Sequence, residues 1–455
     1  MPSDWSLKRR DLSPQICCSN AAKGNAWSDN DFSMGDLDQL TQYLGANRSE
    51  LIEFTTDLIE FDTQNPPGET RDVIDWIERT LAHDSLDIER HVVDPAKPNL
   101  LVRIPGQIDG CLGFNGHVDT VRFDGREWTR DPLGERDQEL IFGRGATDMK
   151  GAVAAMMAVI RAFAETDIEP PLDIVIAFVS DEEVGSDAGT KSLLEANRFQ
   201  PDACVVGETT SRAGRYSVSI ADRGRVWVTL DATGRAAHGS RPILGDNAID
   251  RLYSAIEGVR ETLQNHRLEL PSAMDPIVEE TIDFYAPEVG GDAVRRVFRY
   301  PTDNLGVIEG GTGINTVPSR AHARLDVRVT AGADLDAVIN AIRERISGID
   351  DVTITALTRS PGTWVPRDSP IAIAATRAGE LVTDERVYRR SATGGSDASL
   401  LRSHGIDAVE FGFGTKSAHG VDEYTTVDDL RRNATAYCRV PFEYAKASSR
   451  DSLTP

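Results

Sequence analysis

Long apolar runs are missing from this chain: across 455 residues every hydrophobic stretch is broken by charge or glycine before it reaches bilayer-spanning length. A membrane partner is therefore not expected, and the chain reads as soluble. Lysine is scarce, with seven against 42 arginines, and 49 Lys+Arg face 73 Asp+Glu for a formal net charge of −24. A field of that sign repels nucleic acid and anionic membrane surfaces, which argues against either as a partner. The five cysteines, Cys17, Cys18, Cys111, Cys204 and Cys438, make no CxxC pair and no even disulfide framework. Cys111 and Cys204 lie beside apolar strand-like segments and read as buried thiols, so a reducing, cytoplasmic compartment fits. Internal repeats and low-complexity tracts are absent too.

What is present begins with length, which exceeds one ordinary core and points to two domains. The carboxylate excess reads as solvation, and an acidic, lysine-poor surface resembles that of proteins from extreme halophiles. KRRDLS near the N-terminus hints at a twin-arginine export signal, but no continuous apolar segment follows it. Residues 1–35 are expected to be a disordered extension, with Met34 as an alternative start.

From residue 36 an amphipathic stretch runs to the breaker NPPGE (65–69), and a second helix, TRDVIDWIERTLAH, follows. Short apolar runs then alternate with helical patterns: NLLVRIPG, CLGFNGH, KGAVAAMMAVIRAFAE, DIVIAFVS, GTKSLLEANRF and ACVVGE. Such alternation predicts an α/β layer with a mostly parallel central sheet, whose ligands gather at the carboxyl ends of the strands. From 215 the pattern becomes βαββαβ with an extra hairpin, a ferredoxin-like α+β unit complete in itself. The αβ pattern resumes after SPGTWVP. The expected organisation is thus a first catalytic part over 36–214, an inserted unit over 215–360 and a second catalytic part over 361–455.

Five segments carry chemistry. In GHVDT (116–120), His117 alone reads first as a structural histidine, but it could offer a ring nitrogen to a metal, and Asp119, two residues on, could accept the other ring N–H and fix the tautomer. In GRGATDMKGAVAAMM (143–157), Asp148 precedes a helix; it could bridge two cations, one per oxygen, or simply cap the helix. AFVSDEEVGSDAG (177–189) ends an apolar strand in Glu182 and Glu183, a costly place for unpaired charge that cations would relieve. With one glutamate on metal, the other is free to move a proton. A solvated loop remains a fair reading of Asp181. Glu208, in CVVGETT (204–210), again ends a buried strand, and His419 follows glycine-rich backbone in FGFGTKSAHGVDEY (411–424). Two histidines and three carboxylates suit zinc, cobalt or manganese.

In order, GHVDT, GRGATDMKG, SDEEVGS, VGET, AAHGSRP, GGTGINTVP and SAHGVDEY resemble the di-zinc amidohydrolases and exopeptidases, the family of acetylornithine deacetylase, succinyl-diaminopimelate desuccinylase, aminoacylase and glutamate carboxypeptidase. The likeness spans roughly 36–445. It implies a zinc-exopeptidase-like catalytic domain with an inserted lid that forms a homodimer, and two divalent ions per subunit. Asp148 would bridge them, with His117 and Glu208 on one ion and Glu183 and His419 on the other. Glu182 would be the general base and Asp119 the partner of His117. His238 would reach the oxyanion from the neighbouring subunit, although its local sequence alone suggests a surface turn. Asn315 and Arg328 would grip a substrate carboxylate, although Arg328 by itself reads as one more solvated arginine among 42, and Gly394 and Gly395 would line the substrate. The implied activity is cleavage of the amide of an N-acyl amino acid by water activated between the ions. Exopeptidase action on dipeptides is the alternative, and an inactive binding relative is disfavoured by the completeness of the ligand set.

Overall fold

In the computed structural model, which describes residues 34–451, two apolar strands lie parallel at the centre of the molecule. Leu172–Val179 and Ile108–His117 are aligned so that Asn115 faces Ala177 and His117 faces Val179. Their near-continuous apolar sequence is what a strand covered on both faces requires. They belong to an eight-stranded sheet in the order Asp87–His91, Asn99–Ile104, Leu172–Val179, Ile108–His117, Ala203–Val206, Asp407–Glu410, Tyr216–Ala221, Val387–Ser391. The four strands from Leu172–Val179 to Asp407–Glu410 are mutually parallel, and antiparallel pairings flank them.

Helix Lys150–Thr166, rich in alanine and methionine, is buried on nearly every side. It packs on the strand Ile108–His117 and is covered by Val427–Asp451 and the two N-terminal helices, Met34–Ala46 and Arg48–Glu60. A helix apolar all round needs such enclosure. The single amphipathic stretch read before NPPGE is thus two helices, parted at Asn47, whose side-chain amide turns back onto the Tyr43 carbonyl. The expected extension over 1–35 lies outside the described residues but for its last two, as do Cys17 and Cys18.

A second core sits under a four-stranded antiparallel sheet, ordered Thr302–Gly310, Arg320–Val329, Gly224–Thr233, Val352–Ser360. Strict alternation sends Val226, Val228, Leu230 and Ala232 into that core, against helices Ala248–Asn265 and Leu335–Ser347. This is the βαββαβ unit, but its edges differ from the sequence reading. Tyr216–Ala221, read as part of it, is buried on both faces and pairs in the large sheet with Val387–Ser391. The unit's first strand therefore starts at Gly224 rather than near 215. Residues 274–299 form two helices, of which Met274–Val289 docks on the large sheet through Met274 and Ile277 and through Glu280, which accepts the Arg389 N–H of strand Val387–Ser391 at 2.6 Å.

The two chain crossings between the units are tied to each other. Asp222 accepts hydrogen bonds from the N–H and hydroxyl of Thr363, at 2.8 and 2.6 Å, and pairs with buried Arg402. The crossings touch where both residues are glycine: a Cβ on Gly224 would stand 2.6 Å from the Gly362 nitrogen.

Candidate metal centre

The carboxyl ends of three adjacent parallel strands deliver most of the site. Ile108–His117 ends in His117, Leu172–Val179 leads into Glu182 and Glu183, and Ala203–Val206 leads into Glu208. Asp148 approaches from the loop before helix Lys150–Thr166, and His419 from a loop near the C-terminus, with φ of 61°. Asp148 sits at the middle. Its Oδ1 is 3.3 Å from His117 Nε2 and its Oδ2 is 3.1 Å from His419 Nε2. His117 Nε2 also lies 3.4 Å from Glu208 Oε1, and His419 Nε2 lies 3.4 Å from Glu183 Oε1. Two triads result, His117–Asp148–Glu208 and Asp148–Glu183–His419, each with its ligand atoms within 4.8 Å of one another. Asp148 does not cap its helix: the N-cap position is Met149, with no side-chain cap bond.

Behind the triads lies a buried hydrogen-bonded layer. His117 Nδ1 lies 2.9 Å from the main-chain carbonyl of Asp119, while the Asp119 carboxylate is 3.6 Å away. The ring's hydrogen bond goes to that carbonyl, with the Asp119 carboxylate at ion-pair distance. That carboxylate accepts the N–H groups of Glu182 and Glu183, at 3.1 and 3.2 Å, and the Asn65 amide at 2.8 Å. Asn65 also donates to Asp181 at 3.0 Å, and Lys97 ion-pairs with Asp181. Asp181 is buried, not solvated, and holds a left-handed φ of 76° at the head of the Glu182–Val184 turn.

A second support is Glu423. One carboxylate oxygen accepts the N–H groups of Thr147 and Asp148, each at 3.0 Å. The other accepts Gly145 N–H at 3.1 Å and the Arg144 guanidinium at 2.6 Å. Asn65, Lys97, Arg144 and Glu423 escaped the sequence reading, which took NPPGE as a breaker and HGVDEY for its histidine.

The cluster's charges set its protonation. Burial lowers the His117 pKa, but hydrogen bonds to Asp148 and Glu208 outweigh it and hold the ring well above its ordinary value. Hydrogen bonds to Asp148 and Glu183 push His419 up to about 10. Burial opposes ionisation of Asp148, yet the two histidines keep its carboxyl far below the usual carboxylate range. Burial and the Asp148 charge push Glu208 up to about 8, and burial raises Glu182 well above normal. Among the described residues, the two histidines are the only cationic side chains ion-paired with Asp148, Glu183 or Glu208. Half-buried carboxylates so short of positive charge, arranged as two sets of one nitrogen and two oxygens, fit two divalent cations.

The remaining predicted residues lie elsewhere. His238 is exposed in the short ladder of Ala237–His238 with Thr316–Val317, and its Nδ1 meets Ser240 Oγ at 2.8 Å. Among the described residues it makes no hydrogen bond or ion pair to the five-residue cluster. Asn315 is exposed beside it, accepting Gly239 N–H through its carbonyl. Arg328 turns its guanidinium onto Asp326 at 2.9 Å. Gly394 borders open space, whereas Gly395 packs over Ser399 and Asp222. Next to it, Ser396 donates to Glu410 at 2.6 Å and buried Asp397 accepts from Ser186 and Thr190, anchoring the loop behind the site.

Residues 113–442 match the family model described as Peptidase family M20/M25/M40. A succinyl-diaminopimelate desuccinylase from Sphingopyxis alaskensis is 32% identical over 404 residues, 85% of this chain and 96% of that protein. Among solved structures, an M20 family metallo-carboxypeptidase from Sulfolobus solfataricus superposes with a TM-score of 0.72 at 18% identity, covering 87% of this chain and 99% of that one. A dinuclear metal binding peptidase of the M20 family from Bacillus subtilis superposes with a TM-score of 0.59 at 14% identity, covering 87% and 98%.

Proposed function

This chain belongs to peptidase family M20/M25/M40 and is a hydrolase of amide or peptide bonds, and from that premise we propose that it removes the acyl group of an N-acyl amino acid. The observation that carries the reading is the shared carboxylate of Asp148, with one oxygen toward His117 and the other toward His419. Two divalent cations, zinc by preference and cobalt or manganese as alternatives, would be held by His117, Asp148 and Glu208 and by Asp148, Glu183 and His419. When bound they supply a water of lowered pKa and positive charge for the carbonyl oxygen.

Glu182 does the proton work. Its ionised carboxylate takes the proton of the attacking water as the oxygen bonds to the carbonyl carbon. As the carbon–nitrogen bond breaks, Glu182 returns that proton to the amine. Asp119 fixes the turn that carries it. The motif AAHGSRP supports a homodimer in which the second copy brings the His238 ring to the developing oxyanion. Asn315, Arg328, Gly394 and Gly395 are the proposed substrate contacts; a substrate carboxylate would compete with Asp326 for the Arg328 fork.

Three buried cysteines outside any disulfide, Cys111, Cys204 and Cys438, support a cytoplasmic setting, and no described helix is long and apolar enough to cross a membrane. The desuccinylase likeness favours deacylation; exopeptidase action is the second reading, which the family's description keeps open. Purified protein loaded with zinc, cobalt or manganese and offered N-succinyl amino acids, N-acetyl amino acids and dipeptides tests it. Faster turnover of an acyl amino acid is the expected result, and turnover of dipeptides alone would replace this reading with the second.

A further inference from the structure

We propose that Glu423 is a positioning residue that fixes Asp148 and His419 relative to each other, and so sets the strength of the cation site they form with Glu183. The inference rests on the two-cation reading above. Glu423 lies four residues after His419 and has no solvent exposure. A carboxylate buried to that degree is stable only with its charge answered and its lone pairs filled. All of its partners come from one loop. Thr147 and Asp148 donate to Oε1, while Gly145 and Arg144 donate to Oε2. Its main-chain carbonyl accepts Gly143 N–H at 2.8 Å. The loop carrying Asp148 is thus wrapped around the residue that closes the loop carrying His419.

Arg144 completes the tie from the other side. While its Nη1 pairs with Glu423, its Nη2 donates to the Gly420 carbonyl at 3.0 Å, directly after His419. The two triads depend on this link unequally. His117 and Glu208 are delivered by neighbouring parallel strands, Ile108–His117 and Ala203–Val206, paired in the central sheet. His419 is delivered by a loop, its side chain is 54% exposed, and its backbone is held through Arg144. Loss of Glu423 therefore loosens the Asp148–Glu183–His419 triad more than its neighbour.

Glu423→Gln keeps the shape but turns one acceptor into a donor, which then confronts either two backbone N–H groups or Gly145 N–H and Arg144. The test is calorimetric titration of metal-free full-length protein with Co²⁺, followed in parallel by the visible absorption of the bound ion. Wild type is expected to take two equivalents. E423Q is expected to keep one at near wild-type affinity and to bind the second about tenfold to a hundredfold more weakly, the range for partners that orient ligands. Two equivalents at wild-type affinity would overturn the proposal. Equal weakening of both would overturn it as well, since that is the outcome of a general loss of structure. Arg144→Lys, which keeps the charge beside Glu423 but gives up the fork onto Gly420, is titrated alongside in case E423Q does not fold. The same selective weakening is expected, and unchanged binding counts against the proposal. A wild-type trace with one equivalent only would bring down the two-cation reading itself, and this inference with it.

Discussion

His117 meets Asp119 through the wrong end of the aspartate for a carboxylate–histidine pair: Nδ1 lies 2.9 Å from the main-chain carbonyl and 3.6 Å from the carboxylate. A ring N–H donated to that carbonyl leaves Nε2 facing Asp148 and Glu208. The Asp119 side chain is thereby free to receive the two consecutive N–H groups of the turn bearing Glu182 and Glu183.

Asp119→Asn separates these two jobs. The main-chain carbonyl stays, so His117 keeps its orientation and the cation it shares with Glu208. One oxygen remains where two backbone N–H groups and the Asn65 amide converge, so the turn shifts. The expected result is about a tenfold to hundredfold fall in kcat with the cation of His117 and Glu208 retained. Elemental analysis alongside steady-state kinetics checks it; loss of metal at unchanged kcat per bound metal would contradict the assignment.

Glu182→Gln removes the proton acceptor and preserves the volume. A fall in kcat of about two to four orders of magnitude is expected, the usual worth of a positioned general base, with both cations bound. Undiminished turnover by the metal-loaded variant would remove Glu182 from the role.

Metal uptake is expected to release protons. In the cation-free protein, hydrogen bonds to Asp148 and Glu183 hold His419 up at about 10, and burial and Asp148 hold Glu208 up at about 8, so both carry protons at pH 7. A bound cation requires the neutral imidazole and the carboxylate, so these protons leave. Because both pKa values lie above 7, apparent affinity should rise as pH increases from 6 to 8. Titration in buffers of different ionisation enthalpy measures the protons released; uptake without release would contradict this protonation pattern.

His238→Ala is expected to slow hydrolysis without loss of metal. Mixed with Glu182→Gln under conditions that exchange subunits, it should regain activity, since half of the sites in a mixed dimer combine an intact Glu182 with a partner's intact His238. Absence of any recovery would mean that His238 does not act across a subunit boundary.

The legibility of this site in the sequence follows from how each part is held. His117, Glu182, Glu183 and Glu208 follow apolar strand segments, so a local pattern marks them and parallel pairing brings them together. Asn65 reaches Asp119 and Asp181 across 54 and 116 residues, and Arg144 reaches Glu423 across 279, separations on which no local periodicity reports. Asp181 resembled a solvated loop residue because its counter-charge, Lys97, lies on a distant loop. The βαββαβ unit was legible from alternation, whereas Tyr216–Ala221 carries the same strand pattern and is assigned to the large sheet only by its tertiary pairing with Val387–Ser391.

Hydrolysis of an N-acyl amino acid, followed while metal-free wild type and Asp148→Asn are titrated with zinc, tests most directly whether Asp148 joins two cations into one catalytic centre. Wild type should be inactive after chelation and reach full activity as the second equivalent binds, while the variant stays inactive at any metal concentration. Full activity without metal, or wild-type activity in the variant, would contradict the account.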